Sequence, residues 1–172
     1  MSESLVSLSQ VGNILSNIGN KIVQNQNIMK LLYYNTPDAL AQPDVGVLEI
    51  ADMLGKTGSP DKQRIYKYLI SDMISEEVKT ELRFGIDRIH PENRHIVALP
   101  ITLQIVCHNS IWELDNNKLR VFVLLEELLD DLNGNIDDVN GIGGLLLKSP
   151  ITFVNFNSSF SGYVLLLNTR SG

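Results

Sequence analysis

The chain has few of the residues that most often carry chemistry in proteins. Its 172 residues include one cysteine and three histidines. A single thiol, Cys107, excludes an intramolecular disulfide framework and cannot supply a cysteine-rich zinc site. No apolar run approaches the roughly 18 residues that cross a bilayer. The sequence therefore favours a protein of a reducing compartment, with no metal-stapled fold and no membrane as a partner.

Basic charge is also scarce. The chain has 14 basic and 20 acidic residues, for a net charge of −6. No segment forms a basic patch, and nucleic-acid binding begins with the neutralisation of phosphates by basic side chains. We therefore expect no sequence-specific nucleic-acid binding. The N-terminal residues also lack the basic region and apolar core of a signal peptide, which predicts that the protein is made in the cytoplasm.

The composition that is present fits a packed globular protein. Apolar residues make up 44% of the chain and charged residues 20%, which is ordinary for one folded domain. The N-terminal part is expected to be helical, because its apolar residues recur every three or four positions. These are Leu8, Val11, Leu15, Ile18 and Ile22. Turn clusters then bracket residues 35–60, which predicts an extended loop arm. We assign residues 1–60 to this N-terminal helix and arm, and residues 61–172 to a core domain.

The clearest sheet signal is an alternation of apolar and polar residues over residues 81–87 and 97–107. It predicts an antiparallel strand pair with one buried face. Pro100 interrupts the second strand and has no N–H to donate, which places that strand at a sheet edge or at a bulge. A long edge strand invites pairing with another chain. Pro100 therefore marks a candidate assembly contact.

The C-terminal part predicts one helix and a set of strands. The helix is predicted over residues 118–132, with Asp115 or Asn116 as its N-cap and Asn133 at its end. Its inner face is expected to include Phe122. Closing strands are expected at residues 145–148, 151–156 and 160–167. The fold class is therefore α+β: an antiparallel sheet packed against helices, with a long N-terminal helix and an extended loop arm.

The nucleophile and glycine-loop candidates fail on spacing or geometry. Cys107 and His108 are adjacent on one strand, so their side chains point to opposite faces and cannot form a dyad. A calcium-loop resemblance that begins at Asp131 lacks the glycine and the final glutamate that such a loop needs. The loop at residues 141–144 lacks the pattern of a phosphate-binding loop. We predict no catalytic, cofactor-binding or metal-binding residues, and no cofactor.

Two groups of polar residues remain open to more than one interpretation. His90 and His95 flank a predicted turn and could approach each other. An acidic strip lies near the end of the C-terminal helix and could be a solvated face, a docking surface or a metal site. It comprises Glu126, Glu127, Asp130 and Asp131.

The second half of the chain resembles the small neck proteins of tailed bacteriophages, in the tail-terminator and tail-completion group. Four stretches carry the resemblance: residues 82–93, 101–112, 117–134 and 160–164. In that group a sheet packs on helices, and subunits form a ring that joins head to tail or ends the tail tube. The resemblance implies a homo-oligomeric ring, contacts with other virion proteins of the connector and tail, no catalysis and a place in the virion.

Two other functions compete with the ring protein. The chain could be a cytosolic adaptor that recognises a partner through residues 35–60. It could instead be a hydrolase that uses His90, His95 or the acidic strip, which would require a pocket that gathers those groups.

Overall fold

Helices on one face of a β-sheet make up the part of the chain that can be described. The computed structural model describes residues 8–69, 76–86, 90–91, 97–98, 100–133, 145–147 and 149–169. The α-helices there are α1 (Leu8–Gln24), α2 (Gln26–Tyr33), α3 (Val47–Met53) and α4 (Arg120–Leu132). The strands there are β1 (Ile65–Tyr66), β2 (Thr80–Ile86), β3 (His90–Pro91), β4 (Val97–Ala98), β5 (Pro100–His108), β6 (Leu145–Leu147), β7 (Thr152–Asn155) and β8 (Phe160–Thr169). The predicted α+β class is confirmed.

The main sheet is mixed rather than wholly antiparallel. Its strand order is β1-β2-β5-β8-β6, and β7 also pairs with β8. β1 runs parallel to β2, whereas the other pairs in this sheet are antiparallel. A parallel pair needs a long crossover connection, and β1 and β2 are separated by residues 67–79 of the sequence. β3 and β4 form a separate two-stranded ladder.

The prediction of an edge strand at Pro100 is wrong. β5 lies in the middle of the sheet, between β2 and β8. Pro100 is the first residue of β5 and pairs with Asn168 of β8, whereas the pairing with β2 begins one residue later, at Ile101. Proline is tolerated at the first residue of a strand because no ladder bond from its nitrogen is needed there. Pro100 is therefore excluded as an assembly contact of an edge strand.

The N-terminal segment is helical as predicted, but it forms two helices, α1 and α2, where one long helix was predicted. Ile14, Ile18 and Ile22 of α1 are buried at helical spacing. The break falls at Asn25, whose backbone is extended and whose side-chain oxygen accepts hydrogen bonds from the N–H groups of Asn27 and Ile28. Asn25 is thus the N-cap of α2, a position that asparagine strongly favours.

The segment predicted as an extended arm lies against the domain. It contains a 3-10 helix (Ala39–Ala41) and α3, and it buries Val45 and Met53. These two side chains belong to the same apolar cluster as the inner face of the sheet. The boundary at residue 60 therefore does not interrupt the apolar core, and separate behaviour of the two segments stays a prediction.

The polar face of β2 is buried, contrary to the prediction of one buried face. Glu81 and Arg83 are almost fully buried, as is Lys79 just before the strand. Glu81 forms an ion pair with Lys79, whose Nζ lies 2.7 Å from its Oε1, and its Oε2 accepts a hydrogen bond from Arg83 Nη2 at 2.5 Å. The Arg83 guanidinium also lies 5.7 Å from the centre of the Tyr66 ring. Burial of these charges is tolerated because they are paired with one another.

The C-terminal elements follow the sequence closely, with one difference at the start of α4. Strands β6, β7 and β8 occupy the three predicted positions, and α4 ends at Asn133 as expected. The N-cap of α4, however, is Leu119, and no side chain caps it. The predicted cap residue Asn116 instead accepts a hydrogen bond from Lys118 N in the preceding turn.

Candidate functional site

The sulfur of Cys107 has no histidine ring as a partner in the described structure. Its side chain is buried on the inner face of the sheet, with Sγ 3.5 Å from Thr80 Oγ1. Burial raises the pKa of the Cys107 thiol to about 11, so the reactive thiolate is disfavoured. The His108 ring instead accepts from Ser110 N at 3.2 Å and packs on Phe160. These contacts agree with the opposite side-chain directions predicted for the two residues.

Two carboxylates of the acidic strip are exposed, and the other two accept hydrogen bonds from asparagine side chains. Glu126 and Asp130 are exposed. Glu127 accepts hydrogen bonds from the amides of Asn25 and Asn27, at 2.9 and 2.8 Å. Asp131 accepts from the same Asn25 amide at 2.8 Å. Two of the four carboxylates therefore join α4 to the break between α1 and α2.

The histidine and calcium-loop candidates fall largely outside the described structure. His90 is in strand β3, and His95 lies outside the described residues, as do residues 134–144. Among the residues that are described, no three or more His, Cys, Asp or Glu side chains are grouped so that they could hold a metal ion. The proposed approach of His90 to His95 stays a prediction.

Arg120 is a buried polar centre that the sequence reasoning missed. Its side chain is 0% exposed, and burial lowers the pKa of its guanidinium. The guanidinium donates to four backbone carbonyls, at distances from 2.7 to 2.8 Å. Those carbonyls belong to Ile111, Leu31, Tyr34 and Thr36. Because three of them lie at or just after the C-terminal end of α2, Arg120 is a structural clamp between α2 and α4.

Four aromatic side chains form a partly exposed surface at the β7 edge of the sheet, which we call the aromatic patch. Phe153 of β7 and Tyr163 of β8 are cross-strand partners with ring centres 5.6 Å apart. Phe122 of α4 lies 5.3 Å from Tyr163, and Trp112 lies 6.2 Å from Phe153. Phe122 and Phe153 are 46% and 48% exposed. Phe122 therefore lies at the surface, although the sequence pattern predicts it in the inner face of its helix.

A shallow cavity of about 480 Å³ adjoins the aromatic patch. Trp112, Leu119 and Phe153 supply its apolar wall, and Asn109, Ser110, Glu113 and Ser161 complete its lining. The volume lies within the range of roughly 300–1,000 Å³ that is typical of ligand pockets. This cavity has an apolar wall and a polar rim, which are the features of a docking site for apolar side chains.

The edge strand beside this cavity is open. β7 pairs with β8 and with no other strand of the described sheet. Thr152, Phe153 and Asn155 of this four-residue strand are exposed. An unpaired strand edge next to exposed aromatic rings is a surface on which another chain can be bound.

A second apolar surface lies on α3, and we call it the α3 patch. Val47 and Leu48 are 84% and 76% exposed, the highest values among the large apolar residues of the described structure. Helix α3 itself is held in place, because Met53 is buried and its carbonyl accepts from Arg64 N at 2.9 Å. Arg64 immediately precedes β1, so α3 ends at the sheet edge opposite to β7.

A protein-family model named YomW matches residues 25–169. The chain belongs to the YomW family. The match includes the aromatic patch, the α3 patch and the Arg120 clamp. No curated protein matches the chain.

The YomW family assignment supports the phage association that the sequence resemblance implies. YomW is the name of a phage-derived protein of an SPbeta-like prophage, and this family member is accordingly a phage-associated protein. The match carries no specificity for neck or tail-terminator proteins. In the described part of this YomW family member, no helix has the length and hydropathy needed to cross a membrane.

The surfaces of this YomW family member differ in how far the sequence could reveal them. Val47 and Leu48 stand between turn clusters, and that placement is a signal of exposure. Phe153 lies between Thr152 and Val154 in a predicted closing strand, and this sequence does not indicate which face of the strand is exposed. The sequence pattern does not indicate that Arg120 is buried, because its partners are backbone carbonyls that come close only in the folded chain.

Proposed function

We propose that this YomW family member is a structural protein of a tailed-phage particle, which forms a ring in the neck that joins head to tail or terminates the tail. The observation that carries the proposal is the presence of two different uncovered apolar surfaces at opposite edges of one sheet. The aromatic patch lies at the β7 edge, and α3 ends at the β1 edge. A ring repeats one contact between two different surfaces of each subunit, so it requires this kind of placement.

The exposure of these surfaces favours assembly over a lone soluble domain. Single exposed apolar residues are normal on any protein, whereas grouped ones mark interaction sites. Full burial of a leucine or phenylalanine is worth about 1.5–3 kcal/mol. Leu48 is 76% exposed and Phe153 is 48% exposed. Much of that free energy becomes available only when another chain covers these two side chains.

We further propose that the protein works without catalysis and without a cofactor. The geometry that supports this is the condition of the candidate groups. Cys107 is buried with a raised pKa, and Glu127 and Asp131 accept hydrogen bonds from Asn25. Cys107 and Glu127 are thus engaged in the fold, and Asp131 is hydrogen-bonded as well, although it also lines a small cavity of about 220 Å³ with Lys21, Gln24 and Asn25. The partners would be copies of the same chain and other connector and tail proteins, with synthesis in the host cytoplasm and a final place in the virion.

Mass spectrometry of purified particles, combined with negative-stain microscopy of the purified protein, tests this function. The expected result is a fixed number of copies per particle and ring-shaped oligomers of the isolated protein. Particles that lack the chain, together with a protein that stays monomeric at every concentration, would exclude the ring function.

A second candidate function is that of an adaptor that binds a different protein through residues 35–60. The observation that favours it is the α3 patch, because Val47 and Leu48 belong to that segment and remain exposed. A photo-crosslinking residue in place of Leu48 distinguishes the two candidates inside infected cells. A crosslink to a second copy of the chain supports the ring, and a crosslink to one defined different protein supports the adaptor.

A further inference from the structure

The two uncovered apolar surfaces differ in shape in a way that lets one receive the other. The α3 patch is a protrusion, since Val47 and Leu48 open a helix and are 84% and 76% exposed. The aromatic patch is a recess, since Trp112 and Phe153 line a cavity of about 480 Å³. Neither surface is covered by the described part of the chain. The same polypeptide therefore carries both an apolar protrusion and an apolar recess.

We propose that Val47 and Leu48 of one copy pack into the aromatic patch of the next copy, and that this contact is the repeated interface of the ring. The inference rests on the proposed ring function and names its contact. The occupant of the aromatic patch is a second copy of this chain.

The placement of the two surfaces favours this contact over a two-fold one. Four strand spacings separate β1 from β7, which amounts to roughly 19 Å across the sheet. A two-fold contact that pairs one patch with itself would leave the other uncovered, and a two-fold contact that covers both would need the two patches on one shared surface, whereas they lie at opposite edges of the sheet. A contact between different patches covers both on every subunit, and it closes into a ring if the rotation per subunit allows it.

The available area indicates a contact that forms between two copies but is weak, and that becomes stronger when a ring closes. An aromatic side chain offers about 150–250 Å². Phe122 and Phe153, each close to half exposed, therefore supply roughly 150–250 Å² together. A stable interface commonly buries about 800 Å² per partner. The apolar contact is thus the centre of a small interface, and closure of the ring, which makes the last contact intramolecular, adds to its stability.

The test uses two charge substitutions and their mixture. Leu48→Asp disables the protrusion and Phe153→Asp disables the recess. Each variant alone is expected to raise the concentration at which the purified full chain assembles by at least about 30-fold, the effect of a hot-spot residue. An equimolar mixture is expected to form a one-to-one dimer and no ring, because the recess of the first variant and the protrusion of the second remain intact.

Val78→Asp is the matched control. Val78 is 41% exposed and belongs to neither patch, so this variant should assemble as the unmodified chain does. Circular dichroism and urea unfolding of the three variants separate loss of assembly from loss of folding. Trp112, the only tryptophan, adds a direct signal, because its emission should shift to shorter wavelength on assembly and should not shift in Leu48→Asp.

The outcomes separate this contact from the function on which it rests. If folded Leu48→Asp assembles at the unmodified concentration, the contact is overturned while the ring function stands. If only Phe153→Asp fails to assemble, the aromatic patch is bound by its own counterpart on a second copy. If the mixture forms no dimer, the two surfaces do not meet. An unmodified chain that never assembles and is absent from particles overturns both proposals.

Discussion

Replacement of Arg120 by methionine should be among the most destabilising single substitutions in this domain. The side chain is fully buried, and its guanidinium donates to four backbone carbonyls. Methionine keeps much of the volume but donates to none of them. The carbonyls of Tyr34 and Thr36 are only partly buried, so water can replace the guanidinium there. The carbonyls of Leu31 and Ile111 are buried and would lose their charged donor.

The size of the effect follows from these two buried acceptors. A buried polar group without a partner costs about 1–3 kcal/mol, so the pair accounts for roughly 2–6 kcal/mol. Loss of the desolvation penalty of the guanidinium itself offsets part of this. We expect a net loss of about 2–4 kcal/mol, out of the roughly 5–15 kcal/mol that holds a typical domain folded. For a chain of this length the melting temperature should fall by about 4–16 °C.

Urea unfolding followed by the fluorescence of Trp112, the single tryptophan, measures this loss. Lys118→Met is the matched control, because Lys118 is an exposed cation two positions earlier and its loss should change stability by less than about 0.5 kcal/mol. Arg120→Lys should fall between the two, since an ammonium has three donors and lacks the planar fork. An Arg120→Met variant within about 1 kcal/mol of the unmodified protein would refute the clamp.

Three further predictions concern other buried contacts. Cys107 should resist thiol reagents at pH 8 until the protein unfolds. The pKa of its thiol is about 11 in the folded protein and 9.0 ordinarily, so burial of the neutral thiol contributes its full stabilisation below pH 9. That contribution should be lost between pH 9 and 11, which alkaline denaturation can follow. Gly162→Ala should destabilise the fold by about 2 kcal/mol or more, because an added Cβ would meet the Ile105 carbonyl of β5, whereas Gly12→Ala has open space in α1 and should be neutral or stabilising in the same urea assay. Asn25→Ala should cost about 1–2 kcal/mol in thermal unfolding through loss of the α2 cap and of its bonds to α4, and an equal cost in the exposed control Asn20→Ala would contradict that role.

Much of the secondary structure could be predicted from the sequence, because the patterns that indicate it lie within each helix or strand. The apolar spacing through Ile18 and Ile22 requires only one neighbouring surface to become a buried helical stripe. The closing strand predicted at residues 160–167 is likewise found as β8, and its Leu165 and Leu167 are buried. The start of α4 was less readable, because its N-cap, Leu119, has no side-chain hydrogen bond.

The candidate surfaces were readable only in part. Residues 35–60 were singled out as a possible recognition segment, and the exposure of Val47 and Leu48 gives that segment a specific surface. The aromatic patch was not anticipated, because its members come from a turn, a helix and two strands. The pairing of β7 with β8 brings Phe153 next to Tyr163. Trp112 is distant from Tyr163 in sequence, and their rings come close only in the folded chain.

The sequence by itself determined the α+β class, the positions of α4 and of the closing strands, and the opposite side-chain directions of Cys107 and His108. Only the tertiary structure decided that β5 is central, that Arg83 and Arg120 are buried, and which apolar residues stay uncovered. The physical reason is the range of the interactions. Periodicity fixes which residues share a face of their own helix or strand. What covers that face depends on pairing between distant segments, and that pairing also places the α3 patch and the aromatic patch at opposite edges of the sheet.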